Sequence, residues 1–331
     1  MRYLIALTIF LFACTSHAQT WEEERNFGSE NATNKLRIIS STDTAFVAPI
    51  IKDFLVNQPT VQIEYLVHGT STIDEIYRRS PESYDLVISS AMDLQLKLVN
   101  DNLALRLPLT NLPKWAKWRE SLFAFTTEPA TIVINVSAFK GHKLPKTRQD
   151  LIVALRERPD VFKNKLATYD VRKSGLGYLF ATQDARTTET YWRLMEVMGG
   201  VGTKLYCCSG AMINDLISGD VVVAYNVLGS YASARQANND SIKVILPSDF
   251  PTTMMRTALI SQQTQEPDLA AAFIRHLIKS QSNLGKGLNR LPPLATKNHQ
   301  STIELKPSLL TYLDALKRRA FIAAWESAVI Q

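Results

Sequence analysis

Three times in its first hundred residues the chain repeats one unit: a short apolar run, a polar turn, then a stretch with helical periodicity. Residues 35–40 (KLRIIS) lead through Ser40-Ser41-Thr42-Asp43-Thr44 into residues 45–56 (AFVAPIIKDFLV). Residues 61–67 (VQIEYLV) lead through His68-Gly69-Thr70-Ser71-Thr72 into IDEIYRR. Residues 84–89 (YDLVIS) lead through Ser90-Ala91-Met92-Asp93 into a helix ending near Val99. Antiparallel neighbours can be joined by tight hairpins, whereas strand, turn and helix in regular succession require a parallel sheet covered by its crossover helices. The fold class is therefore α/β.

The series breaks at residues 122–135 (LFAFTTEPATIVIN), a long extended segment interrupted by Glu128-Pro129. A second α/β block follows, with strands at 166–170, 221–226 and 243–246 and helical YLFATQDA and TETYWRLMEVMGG. Residues 247–260 are again extended, and the remainder is helical. The simplest topology is two lobes joined by two crossing strands: 35–125 with 251–331 as lobe 1, and 126–250 as lobe 2. The C-terminal helices then return to lobe 1. A length of 331 residues suits two domains, and 46% hydrophobic residues suffice for two cores. In such a fold the strand C-termini and the helix starts after them face a shared cleft.

Residues 1–18 read as a secretion signal: Arg2, an apolar stretch over 3–13 too short to span a bilayer, and a small–x–small site at Ser16-His17-Ala18. Leu11-Phe12-Ala13-Cys14 overlaps it and resembles a lipobox, with Phe12 bulky for its place. The soluble periplasmic form is favoured over lipid anchoring at Cys14. Residues 19–34 are polar and non-periodic and are expected to be a loose leader. The chain carries a net charge of +6, and removing Arg2 with the signal leaves +5. That balance attracts anions.

Without Cys14, only Cys207 and Cys208 remain. Neighbouring cysteines pair only with strain, because their Cα atoms lie about 3.8 Å apart. They either form a strained vicinal disulfide or stay as small buried apolar groups; burial is favoured.

Four turns share one chemistry: Ser40-Ser41-Thr42, Gly69-Thr70-Ser71-Thr72, Ser89-Ser90 and Ser174-Gly175. Each places hydroxyls and free N–H donors at a helix start, where about half a unit of positive charge suits an oxyanion. Each of these hydroxyls also suits an ordinary helix cap. In Asp170-Val171-Arg172-Lys173-Ser174-Gly175, Arg172 is the candidate bidentate contact to phosphate or carboxylate. The loop at Cys208-Ser209-Gly210 is of the same kind, and Tyr225-Asn226 ends the strand of the next unit.

No G-x-S-x-G elbow, H-E-x-x-H pair or phosphate loop of the G-x-x-x-x-G-K-[ST] type is present. Among the histidines only His68 falls at a strand end facing the cleft; His276 sits in an apolar helix, and His142 and His299 lie in polar stretches. The expectation is a non-enzyme with no cofactor and no metal. Trp115-Ala116-Lys117-Trp118-Arg119 is too short a basic–aromatic patch for a nucleic-acid face, so no nucleic-acid partner is expected.

The segments RIISSTDTAFVAPIIKDF, YDLVISSAMDLQLKLVND, ATYDVRKSGLGYLFATQD, CCSGAMINDLISGDVVVAYNVLGSYA and LLTYLDALKRRAFIAAWESA, in this order, resemble the periplasmic solute-binding proteins of ABC transporters, of the two-lobed type 2 class. The resemblance is strongest to the branch with ferric-iron-binding, hexose-phosphate-binding and phosphoglycerate transport regulatory proteins. Iron-binding members carry an adjacent Tyr-Tyr pair after the strand matching GDVVVAYN; here Gly229-Ser230 stands there, with only Tyr231 beside it. The resemblance then implies a small anionic organic solute. It also implies a ligand set including Ser40, Thr42, Ser90, Ser174, Gly175, Ser209 and Tyr225, to which charge and strand position add Arg172 and Asn226. The partner implied is an inner-membrane ABC permease, or alternatively a membrane sensor, with the protein itself monomeric.

Overall fold

In a computed structural model, described for residues 20–109, 112–282, 291–295 and 301–331, the strand–turn–helix series builds two sheets. The expected signal at 1–18 with Cys14, and His299, lie outside these residues.

The first sheet is centred on three parallel strands, β2 (Asn34–Ser40), β3 (Val61–Val67) and β4 (Leu86–Ser89). They are linked by helices α1 (Thr44–Val56) and α2 (Thr70–Arg79), and α3 (Met92–Asn100) follows β4. β1 (Glu23–Gly28) pairs antiparallel along the whole of β3, from Glu23 opposite Val67 to Gly28 opposite Gln62. The expected loose leader at 19–34 is thus an edge strand for part of its length. Its charged, mostly exposed residues conceal the period of a strand, and charge is a usual guard on a sheet edge. On the other side lie β13 (Thr257–Ile260), β6 (Leu122–Ala124) and β5 (Lys117–Trp118), all antiparallel.

In the second sheet β8 (Leu166–Tyr169) runs parallel to both β9 (Thr203–Tyr206) and β10 (Val223–Leu228). β7 (Glu128–Asn135) lies antiparallel between β10 and β11 (Ile242–Ile245), and the short β12 (Thr253–Met254) also pairs with it. The helices of this lobe are α4 (Arg148–Glu157), α5 (Pro159–Phe162), α6 (Gly175–Thr187), α7 (Thr190–Gly200), α8 (Ser209–Ser218) and α9 (Gly229–Gln236). α4 opens on a reciprocal cap between Thr147 and Asp150.

The lobes meet at a polar hinge. Arg256, fully buried, binds Glu128 through Nε at 3.0 Å and donates from a terminal nitrogen to Thr42 Oγ1 at 2.5 Å. Ser230 donates to the other Glu128 oxygen. One buried ion pair therefore ties a turn of lobe 1, the crossing strands and the start of α9.

α10 (Pro267–Ser282) packs on β13 and α1 in lobe 1, but α11 (Ala315–Val329) does not return there as expected. Phe321, Trp325, Ala328 and Val329 join the core of lobe 2 with Tyr191 and Met198. Gly199 makes this possible: a Cβ there would stand 2.1 Å from the Ala328 carbonyl oxygen. Periodicity shows that a helix has an apolar face, not which surface covers it. The chain reaches α11 across the hinge, where Ile303 N–H donates to Thr253 O and Thr127 N–H to Pro293 O.

Candidate functional site

Between the lobes lies a cleft of about 190 Å³, the size of a small solute. Six helix starts contribute to its wall. Ser41 and Asp43 precede α1, Gly69 and Thr70 open α2, and Ser90 precedes α3. From lobe 2 come Ser174 and Leu176 of α6, Cys208, Ser209 and Gly210 of α8, and Leu228 before α9. The residues preceding α2, α3, α8 and α9 make no side-chain capping bond, so their first-turn N–H groups are not occupied in that way. Ser174, by contrast, caps α6 by accepting from Gly177 N–H at 3.1 Å.

The Ser90 and Ala91 N–H groups entering α3 donate to Ser41 and Ser89 Oγ, whereas the α1 and α2 starts take their acceptors from the N-terminal segment. Glu23 accepts from Thr44 N–H at 3.1 Å and Glu22 from Gly69 N–H at 3.0 Å, with His68 Nδ1 3.2 Å from the same Glu22 oxygen. Trp21, edge-on to His68 and Tyr84, fixes this segment. All four cleft-lining ionisable groups besides tyrosine and cysteine are thus Glu22, Glu23, Asp43 and His68 among the described residues; no lysine or arginine lines the wall.

The lobes touch at the cleft's edges. Tyr231 of α9 donates to Asp43 Oδ1 at 2.7 Å, accepts from Asp43 N–H at 3.1 Å, and stacks on Phe46 at 4.4 Å. Burial pushes the Asp43 carboxyl up and the Tyr231 bond draws it back. Across the cleft, Thr70 Oγ1 accepts from Leu176 N–H at 3.2 Å, and Gly175 sits against Leu94 and Ala91.

No protein-family model and no curated protein sequence matches the chain. Solved structures do. A substrate-binding protein of an ABC transporter from Agrobacterium tumefaciens is 29% identical, with a TM-score of 0.85 over 93% of this chain and 98% of that one. The chain shares the two-lobed fold of the substrate-binding proteins of ABC transporters. The periplasmic binding protein AfuA from Actinobacillus pleuropneumoniae, solved with fructose-6-phosphate, shares the fold at 13% identity and a TM-score of 0.72 over 90% of this chain and 99% of that one. So does iron-bound HitA from Pseudomonas aeruginosa, at 13% and 0.65 over 89% and 99%.

Within this fold the sequence-derived site residues divide. Ser90, Ser174 and Ser209 line the cleft, and Gly175 stands beside it at the lobe contact. Ser209 Oγ is 2.5 Å from Tyr169 OH and accepts from Leu228 N–H, linking two strand ends. Ser40 and Thr42 are buried behind the wall: Ser40 Oγ accepts from Tyr65 OH and Thr42 N–H, while Thr42 serves Arg256. Tyr225 and Asn226 are also inside, not in the cleft. Both donate to Asp184, and Tyr225 OH accepts from Arg148 Nε at 2.6 Å. Asn226 takes φ +63° at a bulge between β10 and β7, a conformation asparagine tolerates better than most.

Arg172 is the clearest correction. It does not line the cleft; Asp170 grips it through two bonds of 2.7 Å, and Glu326 of α11 lies 3.2 Å away. A carboxylate two residues upstream captured the charge assigned to a solute. Cys207 and Cys208, expected to be buried, are instead exposed and half-buried on the wall. Sequence reasoning missed Glu22 and Glu23, whose strand was unrecognised. Tyr169 and Tyr231 adjoin turns that were recognised, and the strand end and helix start they occupy were the available signal.

Proposed function

We propose that the protein is a periplasmic receptor that closes over a small solute bearing an anionic group and hydroxyls, and passes it to an ABC permease of the inner membrane. One observation carries this reading: uncapped helix starts from both lobes converge with serine hydroxyls on a single cleft. The anionic group is held at the α3 and α8 starts, beside Ser90 and Ser209 and facing the Ser174 corner, by N–H donors and helix dipoles rather than by a lysine or arginine. The solute's hydroxyls face Asp43, whose carboxylate accepts and does not donate when ionised. A ligand spanning both walls favours the closed arrangement and shifts the hinge equilibrium toward it. The fructose-6-phosphate in AfuA supports a ligand of this class.

The test is a thermal-unfolding panel of phosphorylated sugars, phosphoglycerates, di- and tricarboxylates, neutral sugars, amino acids and ferric salts, followed by calorimetry. A ligand at a hundred times its Kd stabilises the native state by about 2.7 kcal/mol. Phosphorylated or carboxylated polyols are expected to register. A response confined to neutral sugars, amino acids or iron overturns the reading.

A further inference from the structure

Solute capture leaves one piece of chemistry on the cleft wall unused. Cys207 follows β9 and Cys208 precedes the first residue of α8; both thiols are free, and their sulfurs lie 2.8 Å apart. Among the described residues no group of three or more His, Cys, Asp or Glu is placed to hold a metal ion, so the pair is not part of a metal cluster. We propose that Cys207 and Cys208 are a reversible redox modification site, closing to a disulfide between neighbouring residues by exchange with a disulfide-bonded oxidant that enters the cleft.

Three features support the assignment. Cys207 is exposed, so an oxidant reaches it from the cleft. The hydrogen bond between the two sulfurs draws the Cys207 thiol down to about 7, against burial and the Glu22 carboxylate, which both raise it. Cys208 is pushed upward by the same partner and keeps its proton. A thiolate and a protonated neighbour are the two roles that exchange needs.

The Cys207 thiolate attacks one sulfur of the oxidant; that S–S bond breaks, one thiolate leaves, and a mixed disulfide forms on Cys207. Cys208 then gives up its proton and attacks Cys207 Sγ, releasing the second thiolate. Two protein thiols are oxidised, one external disulfide is reduced to two thiols, and the protons from the cysteines end on the released sulfurs. The ring is strained, since the Cα atoms stand about 3.8 Å apart where unstrained bridges span about 4.4–6.8 Å. Strained disulfides are the readily reduced ones, so a mild thiol reopens it. Closure bends the backbone beside Ser209, whose hydroxyl holds Leu228 N–H.

The purified protein is incubated with oxidised glutathione, its remaining thiols are blocked with N-ethylmaleimide, and it is digested with trypsin without reduction. The peptide from Leu205 to Arg235 is expected to shift from two blocked thiols to none, with no glutathione attached and a mass two hydrogens below that of the unblocked dithiol peptide. Dithiothreitol restores both thiols. Cys207→Ser and Cys208→Ser are each expected to leave one thiol that cannot close and carries at most a single glutathione. A wild-type peptide that stays doubly blocked, or that stops at a glutathione adduct, overturns the proposal.

Discussion

Arg172 and Asp93 show how neighbours redirect a charged side chain. Arg172 is about a third exposed and held by Asp170, and exposed pairs contribute about 0–1 kcal/mol. Arg172→Ala is therefore expected to cost under about 1 kcal/mol in urea melts and to leave solute affinity unchanged in calorimetry. Ser209→Ala is expected to weaken solute binding in calorimetry, because it removes a hydroxyl from the wall beside the α8 start. Asp93, in the first turn of α3, is fully buried with Oδ1 unpartnered, and burial lifts its carboxyl to about 7 despite backbone hydrogen bonds and Arg318. Its folded pKa lies above its unfolded one, so the folded state holds the extra proton between about pH 4 and 7. Stability should then fall as pH rises through that window, by at most about 4 kcal/mol, and level off above it. Urea melts at pH 5 and 8 check this, and Asp93→Asn should flatten the difference.

At the scale of elements, β1 matters most for the cleft, because the segment it anchors occupies two helix starts with the chain's own carboxylates. Glu22→Gln with Glu23→Gln is expected to lower stability by about 0.3–1 kcal/mol per site while tightening binding of an anionic solute. Weaker binding in calorimetry would instead mark the carboxylates as direct acceptors for the solute. The strand–turn–helix units were legible because hydrophobic period and polar turns agree there, and Ser90 in the first lobe and Ser174 and Ser209 in the second stand at their turns. β1 was not legible, since an edge strand with a charged outer face lacks the alternation that marks a strand. Ser40, Thr42, Tyr225 and Asn226 were misplaced for another reason. A polar residue at a strand end serves equally to face a solute or to satisfy a buried ion, and only the three-dimensional neighbours, Arg256 and Asp184, decide.

For the whole molecule, closure rests on contacts at the cleft edge and stability on the hinge. Tyr231→Phe removes two hydrogen bonds to Asp43, each worth about 0.5–1.5 kcal/mol, and is expected to enlarge the radius of gyration of the unliganded protein in solution scattering. Arg256→Met leaves Glu128 charged and unpaired in the interior and is expected to cost about 3–5 kcal/mol in chemical denaturation.

The docking of α11 on lobe 2 means that, among the described residues, the backbone travels between the halves three times rather than twice. A door on a single pin can swivel; one sewn along a seam only folds. Three threads fastened side by side suppress twisting and sliding, leaving one opening angle as the soft coordinate, so each serine corner comes back to the same opposing partner after every cycle.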